Sequence, residues 1–373
     1  MAINLRSPYY IGTIQPNTAY GTLDISIWEG NYQASGTITA QYNLRKNVIG
    51  TSQKIFFEIS ELIRDYIDIT FDGDYTGQAV WVKLVQTVFD ASNNIIFNNS
   101  FIQIAFDGYW YFEEQETAIP SILISNREIF VLDDTPFTIP IYSDNNPTVV
   151  FYKDGAAVST ETFTSIDESS GQIRYVSSFG DSYQERVLNA GGTLEDSSCL
   201  QSFFNKYSIG AVDKITVTDG NGTETIKVNT IQECKYDPKK ITFVNKFGAL
   251  QDMYFFKKSV EKMTVKKESY KANIISSFGT YDKSNHVNRD FNIVSAESIS
   301  LSSGFVSEEY NEVFKQMMLS EKVWITNVLD TGEQVLPINV KTSNITYKTS
   351  LNDKLVEYTI EFDKSYDVIN NIR

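Results

Sequence analysis

Histidine is all but absent from this chain: His286 is the only one in 373 residues. A Ser-His-Asp or Cys-His relay would have to use it, and the surrounding Asn285-His-Val-Asn-Arg289 offers no nucleophile. Cysteine is nearly as scarce, with Cys199 and Cys234 alone. Structural zinc takes four closely spaced Cys or His ligands, so no such centre is expected. One disulfide is arithmetically open, but two free thiols in a reducing cytosol is the simpler reading. No window reaches the roughly 18 apolar residues of a membrane-spanning helix. The opening MAINLRSPYYIGTIQPN lacks the basic and apolar regions of a secretory leader. A soluble chain made in a cytoplasm, with no membrane partner, is therefore expected. Positive charge is also short: 32 Lys and Arg face 47 Asp and Glu, a net charge of -15. Nucleic-acid binding rests on neutralising phosphates, so no direct role there is expected.

Glycine and proline are sparse too, at 20 and 8 residues, and long helical Ala/Leu/Glu/Lys tracts are missing. What is abundant is β-forming: 22 Tyr, 24 Phe and many Ile, Val and Thr. The length suggests two or three domains. The expected class is all-β dominated, built of several immunoglobulin- or fibronectin-like β-sandwich modules with a few short inserted helices.

Three modules are expected. Residues 1–116 read as a β-sandwich. Leu23, Ile25 and Ile27 alternate with polar Asp24 and Ser26, and further strands run Ala79–Val88 and Asn94–Phe106 around a turn at Asp90–Asn94. A helix near 58–68 interrupts them, since Ile59, Leu62, Ile63, Tyr66 and Ile67 keep helical spacing. Residues 117–235 read as an immunoglobulin-like module. It carries hairpins at Asp154-Gly155 and at Asp219–Gly222, and an insertion near 160–212. Within that insertion Leu200, Phe203, Phe204 and Tyr207 keep helical spacing up to a stop at Gly210. Residues 236–373 form a C-terminal β domain. Its helix, near 307–319, should be capped by Ser307 and show an apolar stripe of Tyr310, Val313, Phe314 and Met317. Strands at Asn344–Thr349 and Val356–Phe362 should close the chain.

No set of residues assembles into recognisable chemistry. Glu113, Glu114 and Glu116 are the densest carboxylates, but neighbours along a strand point alternate ways, and a solvated linker accounts for them. Asp72-Gly-Asp74 and Asp219–Gly222 lack the rest of a calcium loop and read as turns. There is no Walker sequence and no complete GxGxxG. The chain is not expected to be an enzyme, and no cofactor or metal is implied.

The densest feature is KKITFVNKFGALQDMYFFKKSVEKMTVKKESY, Lys239 to Tyr270, with six aromatic residues and a local excess of lysine. Tyr254, Phe255 and Phe256 run consecutively, so that strand is either central and buried on both faces or covered by a partner. The lysines guard an edge strand or border a contact with another subunit. Phe243, Tyr254, Phe255, Phe256, Lys258, Lys262 and Lys266 are the candidate interface residues.

The opening INLRSPYYI, the segment FFEISELIRDYI, the stretch KKITFVNKFGALQDMYFFKKS and the ending SLNDKLVEYTIEFDKSYDVINNIR resemble structural proteins of tailed bacteriophages infecting Bacteroidetes, including crAss-like phages. The resemblance touches the first and last thirds. It implies a place in the neck, tail ring or tail hub of a virion assembled in the host cytoplasm. The partners would then be further copies in a homo-oligomeric ring and other tail, neck or portal proteins. An adhesin-like receptor-binding protein at the tail tip is the alternative, and a glycan-degrading enzyme a more remote one.

Overall fold

The computed structural model describes residues 2–29, 32, 38–48, 53–75, 79–114, 119–132, 136–142, 147–162, 174–179, 212–220, 222–231, 233, 235–329, 332–347 and 355–369. Among them the chain is mostly β, with two short helices and several sheets.

The first module contains β1 (Ile3–Asn4), β2 (Tyr10–Ile14), β3 (Tyr20–Trp28), β4 (Tyr42–Asn47), β5 (Lys54–Glu58), α1 (Ser60–Arg64), β6 (Val80–Phe89) and β7 (Ile95–Phe106). Five strands form a sheet in the order β1-β7-β6-β3-β4, and β2 pairs with β5 as a separate ribbon. The alternation in β3 works as expected: Leu23, Ile25 and Ile27 are buried, and with Ile11, Ile55 and Phe57 from the ribbon they make one core. Each such side chain contributes about 1.5–3 kcal/mol on burial. The helix is shorter than its pattern predicts. Glu58 still belongs to β5, and after Arg64 the chain tightens into turns, with Tyr66 N–H donating to Ile63 O at 3.0 Å. Ile59 and Ile63 are buried, whereas Tyr66 is exposed.

The second module contains β8 (Glu128–Leu132), β9 (Pro136–Ile141), β10 (Thr148–Lys153), β11 (Ala156–Thr162), β12 (Arg174–Phe179), β13 (Lys214–Asp219) and β14 (Gly222–Ile231). One sheet runs β11-β10-β13-β14-β8, and β12 pairs with β9 beside it. Asp154 and Gly155 both have positive φ, 50° and 79°, the geometry of the tight hairpin that the dipeptide predicts. The expected helix around Leu200 to Tyr207, its stop at Gly210, and both Cys199 and Cys234 lie outside the described residues.

The third module contains β15 (Lys239–Val244), β16 (Leu250–Phe255), β17 (Ser259–Lys271), β18 (Asn288–Ser302), β19 (Val306–Ser307), α2 (Tyr310–Met318), β20 (Val323–Leu329), β21 (Gly332–Val340), β22 (Leu355–Val356) and β23 (Thr359–Lys364). Seven strands form one antiparallel sheet, β16-β15-β20-β21-β23-β18-β17. The stripe of α2 is buried as its spacing predicts, with Phe314 and Phe362 each edge-on to Phe255 at 6.2 and 6.0 Å. Ser307 does not cap the helix. It pairs with Leu355 between β19 and β22, and Glu309 precedes the first turn without a side-chain cap. Of the strand expected over Asn344–Thr349, Lys348 and Thr349 lie outside the described residues, and Asn344–Tyr347 form no strand: Lys341 and Thr342 N–H both donate to Glu361 O (2.8 and 3.2 Å) as the chain leaves the sheet. Val356–Phe362 is likewise divided at Tyr358, whose N–H turns aside to Ser303 Oγ at 3.0 Å.

The modules are joined by a shared core rather than by linkers alone. Trp81, Ile104 and Phe106 of the first, Leu123 and Tyr142 of the second, and Val244, Phe247, Leu250 and Trp324 of the third pack together. Asn245, fully buried in the β15–β16 turn, ties the layer. Its Nδ2 donates to Leu123 O (2.6 Å) and Gln251 Oε1 (3.0 Å), and its Oδ1 accepts from Phe247 and Ala249 N–H (3.0 and 3.2 Å). At Gly248, φ is +75° and a Cβ would stand 2.8 Å from Asp107 N, so the turn presses backbone to backbone against the end of β7. Arg64 adds ion pairs to Asp107 at 2.9 Å and Glu321 at 2.5 Å, linking the first and third modules. The burial of Asp107 pushes its carboxyl up, with Arg64 opposing that shift.

Candidate functional site

Strands β17 and β18 do not stop where their sheet stops. β18 pairs with β23 only over Ser298–Ser302, yet it stays paired with β17 out to Asn288 and Lys271. Beyond the Lys262–Ser298 pair no third strand joins them among the described residues; the segment after β23 follows only as far as Val368 N–H, which donates to Ser295 O at 3.1 Å, and from there the two strands continue as a ribbon. From Lys262 to Lys271 the shaft runs for about 30 Å at ~3.3 Å per residue. A two-stranded ribbon of this kind is marginal by itself. Here it is held by eight cross-strand pairs beyond Lys262–Ser298, by Lys267 Nζ on Asp290 Oδ2 at 2.6 Å, and by Tyr270 edge-on to Phe291 at 5.7 Å.

The tip has its own order. Ser276 N–H donates to Thr280 O (2.8 Å) and Gly279 N–H to Ser276 O (3.0 Å), closing a turn in which Gly279 has φ +73°. Asp282 Oδ1 accepts from Ser284 N–H at 2.9 Å, and Ala272 N–H reaches Val287 O at 2.7 Å. The turn chemistry thus holds Phe278 outward at the apex, 91% exposed, with Ile275 and Tyr281 beside it at 62% and 64%.

Along the shaft the apolar side chains are equally bare. Val260, Met263, Val265, Tyr270, Val287, Phe291 and Ile293 are all exposed. Met263 and Val265 share the face of buried Leu301 and Ile299, so the core face of the seven-stranded sheet runs on past the end of its core. With Val260 at its foot inside the sheet, the protrusion carries nine large exposed apolar side chains, more than the scattered singles of an ordinary surface. Such patches mark contact sites.

The candidate interface residues divide. Phe243, Tyr254, Phe255 and Phe256 are buried inside the chain's own core. Although β16 is an edge strand, the cover comes from the same chain: Phe255 packs on Phe314 and Phe362 of the third module, Phe256 stacks on Phe130 of the second, and β8 and β9 lie against the strand. Lys258, Lys262 and Lys266 are exposed on or beside β17, the opposite edge of the sheet. The structure therefore separates the aromatics from the lysines, which the sequence sets side by side. It also adds the arm's apolar residues. The signal was legible in part: sixteen residues rich in Ser, Asn, Asp and Gly (272–287) separate two alternating segments, the mark of a long hairpin.

Other groups show structural chemistry. Glu114 accepts from Lys246 Nζ at 3.1 Å, and Asp72 Oδ1 accepts from Asp74 N–H at 3.2 Å in a turn. His286 is exposed in the arm's tip loop. Burial, reinforced by Glu312, pushes the Tyr111 phenol far up, so it stays neutral. A cleft of about 300 Å³ between the first and third modules is walled by Ile69, Phe71, Val323, Trp324 and Ile338, with Glu321 and Lys322 in its lining. Among the described residues no group of three or more His, Cys, Asp or Glu converges to hold a metal, and no helix is long and apolar enough to cross a membrane. No protein-family model matches the chain, and a search of curated proteins finds no match.

Proposed function

We propose that this protein is a structural assembly component, a ring or adapter built of multiple copies, and that its place is the neck or tail of a tailed phage virion. The observation that carries the assembly reading is the arm: an ordered ribbon with a bare aromatic tip, fixed to a body whose three modules share one core. A rigid body transmits geometry, and a protruding apolar ribbon is what a neighbouring subunit can cover. Heterologous contacts repeated around an axis close rings. The virion setting rests on the resemblance of the first and last thirds to phage structural proteins. The adhesin-like alternative draws on the same exposed aromatics, which could meet a host surface instead of a neighbour.

The virion reading is tested by fractionating a lysate that contains this chain on a density gradient. Banding with particles, and antibody labelling at their neck or tail in electron images, is expected. Recovery of the chain only in the soluble fractions, with unlabelled particles, would overturn it.

A further inference from the structure

Resting on the assembly reading above, we infer that the arm of one copy docks on the acidic body of a second copy, and not on that copy's arm. The charge distribution carries this. Residues 259–295 hold six cations (Lys262, Lys266, Lys267, Lys271, Lys283 and Arg289) against Glu261, Glu268, Asp282 and Asp290, a net +2. The whole chain is -15, so the remainder carries -17. An arm approaching a body is attracted, whereas an arm approaching an arm meets its own sign.

The free edge argues the same way. β17 is an edge strand, and its exposed backbone could add a second β17 across a two-fold axis. That pairing would set two strands side by side, each with four lysines and two glutamates. Lysine on an edge is a common device against such self-pairing. The arm's apolar content still asks for cover, and Phe278 at the apex is its most exposed ring. An acidic surface lying along the shaft and receiving the tip satisfies both demands. The contact is then heterologous, with donor and acceptor surfaces different, which yields rings or filaments and not two-fold dimers.

A mixing experiment separates the arrangements. In an arm-less variant, Asn-Gly replaces residues 267–293 and joins the cross-strand partners Lys266 and Val294 in a two-residue hairpin. This variant keeps the acceptor body and the foot of the arm and lacks the donor's tip and outer shaft. Affinity-tagged and mixed in equal amount with untagged wild type, it should retain wild type on the resin. It should also lower the assembled mass by more than the about two-fold fall of dilution alone, because each captured copy ends growth. Wild type that assembles fully while none is retained by the variant would overturn the inference and leave the assembly reading standing. So would an arm-less variant that assembles by itself as wild type does. Wild type that stays monomeric would overturn both. The full-length Lys262→Glu/Lys266→Glu/Lys267→Glu variant guards against misfolding of the deletion. Tagged, it must itself retain wild type as an acceptor, and untagged it must escape the tagged arm-less variant as a failed donor; normal assembly of this variant would again overturn the inference.

Discussion

Replacing Asn245 by alanine should loosen the joint on which the rigid body depends. The side chain is fully buried and makes four hydrogen bonds, two donated and two accepted. A buried hydrogen bond contributes about 1 kcal/mol net, and groups left unpaired cost about 1–3 kcal/mol each. Leu123 O and the N–H groups of Phe247 and Ala249 would all lose this partner. The expected loss is therefore about 3–5 kcal/mol, a large share of the roughly 5–15 kcal/mol that holds a typical protein folded. Urea unfolding followed by tryptophan fluorescence suits the question, because Trp81 and Trp324 sit in the same shared core. Asn245→Asp sharpens it. A carboxylate keeps the two accepted bonds but turns a second acceptor towards Leu123 O. Protonation restores a donor, so in that variant the carboxyl's folded pKa is raised. Its stability relative to wild type should be best at low pH and fall as pH rises through that raised value. A loss below about 1 kcal/mol for Asn245→Ala would refute the claim that this side chain ties the modules.

Three further outcomes are expected. Phe278→Ser should leave thermal stability within about 0.5 kcal/mol of wild type, since the ring touches little. Phe314→Ala should cost about 3–5 kcal/mol, and equal effects from the two would contradict the assignment of arm and core. Charge reversal at Lys258, Lys262 and Lys266 together should impair assembly while leaving the circular dichroism spectrum and melting temperature unchanged. Normal assembly from that variant would count against an electrostatic contact. The Asp90 carboxyl, held below its usual 3.8 by the Asn94 side chain and then by backbone N–H groups, should titrate below that value by NMR. Because the folded pKa is depressed, its support for the β6–β7 turn is present above the unfolded pKa and lost as pH falls through the folded one. A midpoint at or above 3.8 would remove it.

Local patterning carried much of the fold. Period-2 alternation placed β3, β6 and β7, Asp154-Gly155 placed a hairpin, and the Tyr310–Met317 stripe placed α2 against the sheet. These features are set by residues within a few positions of one another. The sequence pattern was weaker where a distant contact decides. Ser307 reads as a cap until β22 claims it, and Asn344–Tyr347 reads as a strand until the chain leaves the sheet at Thr342. The site shows the same divide. A run such as Tyr254-Phe255-Phe256 announces cover on both faces but not which chain supplies it, and here the same chain does, through Phe314 and Phe362 against Phe255 and Phe130 against Phe256. The arm announced its strand through the alternation of Met263 and Val265 with Thr264 and Lys266. How far β23 and the segment after it follow β18 decides where the ribbon begins, and no local signal encodes that.

Whether copies assemble through the arm is decided by light scattering of wild type and the arm-less variant side by side, with electron images of both. A closed assembly of many copies is expected for wild type, and a folded 42.3 kDa monomer, less the deleted residues, for the variant. Wild type at 42.3 kDa across concentration, or a variant that assembles as wild type does, would contradict it.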